Sequence, residues 1–237
     1  MPVRPWIMTQ TWNHLLFAHW PFDPHELRGA VPAELPLDEY GGQAWLGIIP
    51  FHMTNVSPRG VPNLPAVSAF AELNVRTYVT VDGKPGVYFF SLDAGSALAA
   101  AAARVLVGLP YFAAAMVVQV REGAEVRYRS SRLPDRGRSA DLRAAYRPAG
   151  AVRPPEPGSL EYFLTERYCL YTVDRRRRTH RLQIHHPRWP LQPAEADIEV
   201  NTMAAAAGLD LPAVSPLLHY ARRQDMVAWA METTGAS

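Results

Sequence analysis

One cysteine and one lysine occur in 237 residues, and each scarcity excludes chemistry. A lone cysteine, Cys169, rules out an internal disulfide and suits a reducing compartment. It reads as a small buried hydrophobe rather than a nucleophile. The lone lysine, Lys84, lies in a Gly83-Lys-Pro-Gly86 turn, where an amine is solvated, protonated and weakly nucleophilic. The 24 basic side chains are otherwise arginine, and 22 acidic ones leave a formal charge of +2. That balance demands no polyanionic partner, and nucleic acid is not expected. Met1 to Thr11 lacks the apolar stretch of a secretory signal. The longest apolar region, Ser96 to Val120, contains Arg104 and breaks at Gly108-Leu-Pro110. Its halves are too short to span a bilayer. A buried helix followed by a buried strand is expected there, with no membrane partner and a cytoplasmic location.

Cofactor and metal patterns are also missing. The glycines never form a phosphate-binding loop after a strand, so no cofactor is expected. His14 and His19 fall an odd number apart, and His185 and His186 are adjacent. A strand would point either pair to opposite faces, so no metal site is expected. Ser91 and Asp93 share a strand face, but a hydrolytic triad also needs a positioned histidine. Arg175 to Arg178 lacks interleaved aromatics and reads as a solvated hairpin tip.

The chain is rich in short strands and turns. Strands are expected over Trp12 to Phe22, Gly42 to Val56 (interrupted by Pro50), Phe70 to Val79 and Val87 to Ala94. More follow over Tyr111 to Val120, Glu125 to Arg132, Ala140 to Tyr146, Cys169 to Val173, Thr179 to His185 and Leu217 to Met231. Ser57 to Pro65, Pro134 to Gly137 and Pro148 to Gly158 read as loops or turns. Helices are expected after Asp23-Pro24, over Ser96 to Val107, over Leu160 to Arg167 behind a Ser159 cap, and over Thr202 to Leu209. No βαβ rhythm or internal repeat appears. The expectation is one domain over residues 1–237, mainly β with a few helices, forming a closed antiparallel barrel.

The most informative stretch is Phe70-Ala-Glu-Leu-Asn-Val-Arg-Thr-Tyr-Val79. As a strand it places Phe70, Glu72, Asn74, Arg76 and Tyr78 on one face, and Ala71, Leu73, Val75, Thr77 and Val79 on the other. An acid, an amide and a guanidinium between aromatics fit a polar internal cavity better than a solvated face. Leu73 and Val75 would then pack outward under helices. Glu72 is the candidate acid or base. Beside Arg76 it forms either a structural ion pair or, if desolvated, a group of raised proton affinity. His19, with Asn13 nearby, is a second candidate.

These segments resemble the DUF2071 family of YqjF-like uncharacterised proteins. The resemblance rests on Trp12-Asn-His-Leu-Leu-Phe-Ala-His-Trp20, the Phe70 to Val79 strand, Gly83 to Ala94 and Ala103 to Tyr111, and it covers nearly the whole chain. That family is similar in fold to acetoacetate decarboxylase, which implies a closed barrel with a polar cavity. The decarboxylases carry Gly-x-Pro-Lys-Lys, and one of those lysines forms a Schiff base with the substrate ketone. Here the run is Gly108-Leu-Pro-Tyr-Phe112, with neither lysine. Glu72 matches the decarboxylases' strand glutamate.

Two functions follow from the resemblance. One is a small-molecule-binding barrel, with Asn74, Arg76, Tyr111 and His19 as ligand-binding residues. The other is an enzyme using Glu72 as acid or base on a small polar or carboxylate substrate without an imine. A homo-oligomer is left open. Arg104 is expected to pair with a carboxylate. Incubation with acetoacetate and borohydride is expected to leave no stoichiometric adduct, because reductive trapping needs an unprotonated amine. Mass spectrometry of the digested protein reads the outcome, and full labelling of Lys84 would restore a Schiff-base enzyme.

Overall fold

The computed structural model describes residues 2–60, 68–134 and 137–234. Residues 61–65 of the expected Ser57 to Pro65 loop, the two residues after it, and 135–136 of the Pro134 to Gly137 turn lie outside them. The strands are β1 (Met8–Phe22), β2 (Ala44–Pro58), β3 (Phe70–Val81), β4 (Lys84–Ala94), β5 (Tyr111–Val120), β6 (Val126–Arg132), β7 (Asp141–Pro148), β8 (Cys169–Val173), β9 (Thr179–His185), β10 (Gln192–Asn201), β11 (Leu217–Ala228) and β12 (Glu232–Thr233). The helices are α1 (Pro24–Arg28), α2 (Ala97–Val107), α3 (Leu160–Thr165) and α4 (Met203–Ala206).

The strands close into a nine-strand barrel, as expected, in the order β4-β3-β2-β1-β11-β10-β7-β6-β5 and back to β4. A second ring shares part of it. The outer edge of β4 pairs with β8 at Val87 and Tyr88, then with β5 from Leu92 to Ala94. The outer edge of β11 pairs with β10 near Tyr220, then with β9 at Val227 and Ala228. β8 and β9 pair with each other, so β9-β8-β4-β3-β2-β1-β11 also closes. The pairings are antiparallel except β4–β5 and β4–β8.

The five shared strands must therefore bury both faces. One face packs into the nine-strand ring, where Leu16, Ile48, Leu73 and Val75 meet Tyr128, Leu142 and Tyr146. The expectation that Leu73 and Val75 lie under helices is corrected: they face other strands across the barrel lumen. The other face points into the seven-strand ring, where Leu15, Phe17, Ile49 and Phe51 meet Trp189 and Leu191.

A bulge explains the weak alternation of β1. His14 has φ 53°, in the left-handed region, and the β1–β2 register slips by one residue between Asn13 and Ala18. One extra residue reverses the inward face, so Trp12 and Leu15 line the same side. Tyr146 donates to the His14 carbonyl at 2.8 Å, and the Tyr220 hydroxyl lies 2.6 Å from His14 Nδ1. Pro50 does not interrupt β2. It sits opposite the β1 slip, where its missing N–H deletes no regular ladder bond.

The sequence reading passed over β10. Gln192–Asn201 alternates Ala, Ala, Ile and Val with Glu, Asp and Glu, and its partly buried apolar residues pack onto the barrel core. The Arg175 to Arg178 run is a hairpin tip, as expected. Asp174 accepts from the backbone N–H groups of Arg176 and Arg178.

The fork at β4 depends on Gly86. A Cβ there would lie 2.5 Å from the Tyr171 ring and 2.6 Å from the Cys169 carbonyl oxygen. Gly86→Ala is expected to cost about 2 kcal/mol or more, through the shift it forces on β8. Urea unfolding should show a lower midpoint at unchanged m value.

Candidate functional site

The seven-strand ring encloses a cavity of about 480 Å³. Glu72, Asn74 and Arg76 line it from β3, as the alternation predicted, and Tyr111 lines it from the start of β5. The register explains the meeting. Asn74 pairs with Leu92 on β4, and Leu92 pairs with Tyr111 on β5. From two strands away the Tyr111 hydroxyl donates to Glu72 Oε2 at 3.0 Å. The turn that delivers Tyr111 is built by α2 and its cap. Ser96 accepts from the Ala99 N–H at the start, and Gly108 closes the end at φ 67°.

The walls are mainly apolar, which corrects the expectation of a polar cavity. Trp12, Phe51, Met53, Phe89, Trp189 and Met226 are among them. The polar groups are few: Glu72, Asn74 and Arg76 on β3, with Gln10, Tyr111, Thr165, Arg167 and His186 around them. His19 is not on the wall. It is fully buried behind Arg76, with Nε2 2.6 Å from the Tyr78 hydroxyl and Nδ1 unpartnered. Burial, with the nearby Arg76 charge, holds its pKa well below the ordinary value and keeps it neutral. Two residues apart on β1, His19 and Phe17 share a face, and their rings stack. Asn13 faces elsewhere and donates to Thr54. Arg104 forms no carboxylate pair among the described residues. Its Nε donates to the Ala100 carbonyl of its own helix.

Glu72 decides the chemistry. Its side chain is 3% exposed, and among the described residues Tyr111 is the one hydrogen-bond partner of its carboxyl. No ion pair joins it to Arg76. Four residues along a strand separate their Cα atoms by about 13 Å, and Arg76 turns to the Leu164 carbonyl at 3.0 Å. Burial raises the Glu72 pKa to about 8. The Tyr111 hydrogen bond opposes the rise, and the Asp93 charge adds to it. Asp93 itself is held by Arg132 in a buried bidentate pair at 2.6 and 2.8 Å. This excludes Asp93 from a triad with Ser91. Phe112 stacks under the Arg132 guanidinium, 4.0 Å from ring centroid to charge. Asn74 Oδ1 and Arg76 Nε are buried without a partner. Burial also pushes the Cys169 thiol up, away from a thiolate.

Tyr111 is therefore a phenol bound to Glu72, and Phe112 a phenyl ring under an arginine. Lys84 is exposed at the β3–β4 turn and does not line the cavity.

A family model for uncharacterized conserved proteins, DUF2071, matches residues 9–225. The chain belongs to the DUF2071 family. It is 51% identical over 231 residues to the uncharacterized protein YqjF of Bacillus subtilis strain 168, covering 98% of this chain and 94% of that protein. Three solved structures share the fold at low identity. An acetoacetate decarboxylase-like enzyme from Sphingomonas wittichii RW1 gives TM-score 0.64 at 15% identity, over 98% of this chain and 94% of that one. Acetoacetate decarboxylase from Legionella pneumophila gives 0.63 at 14%, over 99% and 92%. The enduracididine biosynthesis enzyme MppR complexed with pyruvate gives 0.64 at 12%, over 99% and 92%. Among the described residues, no helix is long and apolar enough to cross a membrane and no three His, Cys, Asp or Glu cluster for a metal.

A carboxyl whose pKa rises from 4.5 to about 8 on folding holds its proton more tightly in the folded state. The stability it contributes is full below pH 4.5 and is lost as pH rises through about 8. Glu72→Gln keeps the acceptor for Tyr111 and cannot ionise. The variant should gain on wild type across this window, by on the order of 3 kcal/mol at pH 7. Melting temperatures at several pH values test this, and parallel profiles would mean that Glu72 titrates normally.

Proposed function

We propose that this DUF2071 protein holds a small organic acid inside the seven-strand ring and exchanges a proton with it at Glu72, without an imine. The observation that carries the reading is the Glu72 carboxyl, buried in an apolar cavity with a pKa of about 8 and one phenol as partner. A group poised near neutral pH both gives and takes protons efficiently. Arg76 lines the cavity and supplies the cation for the acid's carboxylate. Asn74 lies between them on the strand. Tyr111 donates a hydrogen bond where the decarboxylases carry an amine. Pyruvate bound to MppR, of the same fold, supports an oxo acid as the ligand. The lone cysteine suits a reducing compartment, and we place the protein in the cytoplasm.

The proposed step balances simply. Ionised Glu72 takes a proton from the carbon next to the ligand's carbonyl. The C–H electron pair moves to the carbonyl oxygen and forms an enolate, which Tyr111 steadies. Return of the proton from Glu72 reverses the step. Binding without chemistry is the second reading. It is favoured by the lining histidine His186, whose Nδ1 is engaged with Pro187 and Gln224 and supplies no relay to Glu72.

Proton NMR of 2-oxo and 3-oxo acids in deuterated buffer tests the step. Wild type should accelerate loss of the signal next to the carbonyl, with the rate rising towards pH 8 as Glu72 ionises and then levelling. Glu72→Gln should slow the exchange about 100-fold or more. Binding with no exchange would leave the second reading, and no binding by any acid would overturn both.

A further inference from the structure

The polar groups on β3 account for only part of a 480 Å³ cavity. At about 30 Å³ per water, that volume equals roughly sixteen waters, several times the bulk of a three- or four-carbon oxo acid. Such an acid would leave water against apolar walls, which is unfavourable. The remaining wall is also built in a specific way. It begins at Phe51, the cross-strand partner of Glu72. Phe51 meets Trp12 edge to face at 6.0 Å, and Trp12 stacks on Trp189 at 5.8 Å with 13° between the planes. Phe17 meets Trp189 edge to face at 4.9 Å, and His186 lies 5.0 Å from it. Neighbours on several sides thus fix the Trp189 ring. Its indole N–H is buried without an acceptor, although buried tryptophans normally find one.

We infer that the ligand carries an aromatic or medium-length apolar body behind its acidic head, and that the Trp12–Trp189 surface selects it. This rests on the acid-binding reading above. Glu72, Tyr111 and Arg76 hold the head, and the body covers the indoles. A rigid aromatic wall binds such a body with little ordering cost. Entry lies beside Leu98 of α2, which lines the cavity while 69% exposed.

Calorimetric titration of wild type with pyruvate, 2-oxooctanoate, phenylpyruvate and the neutral ketone phenylacetone tests the inference. Phenylpyruvate and 2-oxooctanoate should bind at least about tenfold tighter than pyruvate, about 1.4 kcal/mol. Trp189→Leu, checked for folding by circular dichroism, should remove most of that gain while leaving pyruvate binding within about twofold. Equal or tighter binding of pyruvate by wild type would overturn the inference and leave the proposed function standing. Binding of phenylacetone but of no acid would uphold the apolar body and overturn the acid head. Binding of none of the four would overturn both.

Discussion

Five strands serve two rings, and this makes the chain bury both faces of one sheet. The constraint originates at the edges of β4 and β11, each of which accepts two neighbours in succession. A sheet buried on one face places its polar residues in water. Here the alternate face of β3 also turns inward, and Glu72, Asn74 and Arg76 go with it. The cavity lies within this second ring, while the first is packed. The nine-strand lumen is packed with buried tyrosines whose hydroxyls reach backbone carbonyls. Tyr128 donates to the Glu72 carbonyl at 2.7 Å and fixes β3 from behind. The site residues therefore stand on a strand held on both faces, the kind of support that preorganised chemistry requires.

Much of this was legible in the sequence because it rests on period two. The Phe70 to Val79 alternation placed three polar residues on one face, and the same residues line the cavity. The Gly-x-Pro run before Tyr111 drew attention to that tyrosine through its resemblance to the decarboxylase motif, and the β4–β5 register delivers it to Glu72. What was not legible depends on partners distant in sequence. Nothing local says that the opposite face of β3 meets β6 and β7 rather than helices. His19 reads as a ligand-binding candidate, and only its partners distant in sequence, Tyr78 and Arg76, show that it is buried off the wall. β10 had a clear signal, its alternation of alanine and aliphatic residues with acids, but short side chains weaken it. The apolar cavity wall comes from β1, β2, β4, β8, β9, β11 and α2, and no single segment displays it.

The charges close on a simple sum. Asp93 is matched by Arg132, and Arg167, which also lines the cavity, is matched by Asp38 at 2.5 Å. Burial weakens the hold of Arg167 on its proton, and the Asp38 carboxylate opposes that. Glu72 is mostly protonated at neutral pH. Burial and the adjacent carboxyl hold the Tyr111 pKa well above the ordinary value, so its hydroxyl keeps its proton. Arg76 is left as the one lining charge without an acidic partner among the described residues. On the proposed function, one unmatched cation among apolar walls would favour a monoanion over a cation, which it repels, and over a dianion, whose second charge would be buried unmatched. The exchange of lysine for tyrosine thus does more than remove a nucleophile. A lysine beside Glu72 would draw the carboxyl into an ion pair and lower its pKa. The phenol donates one neutral hydrogen bond and leaves Glu72 near neutrality, where it can give or take a proton. With tyrosine at that position, the proposed proton exchange rests on the carboxyl and needs no amine.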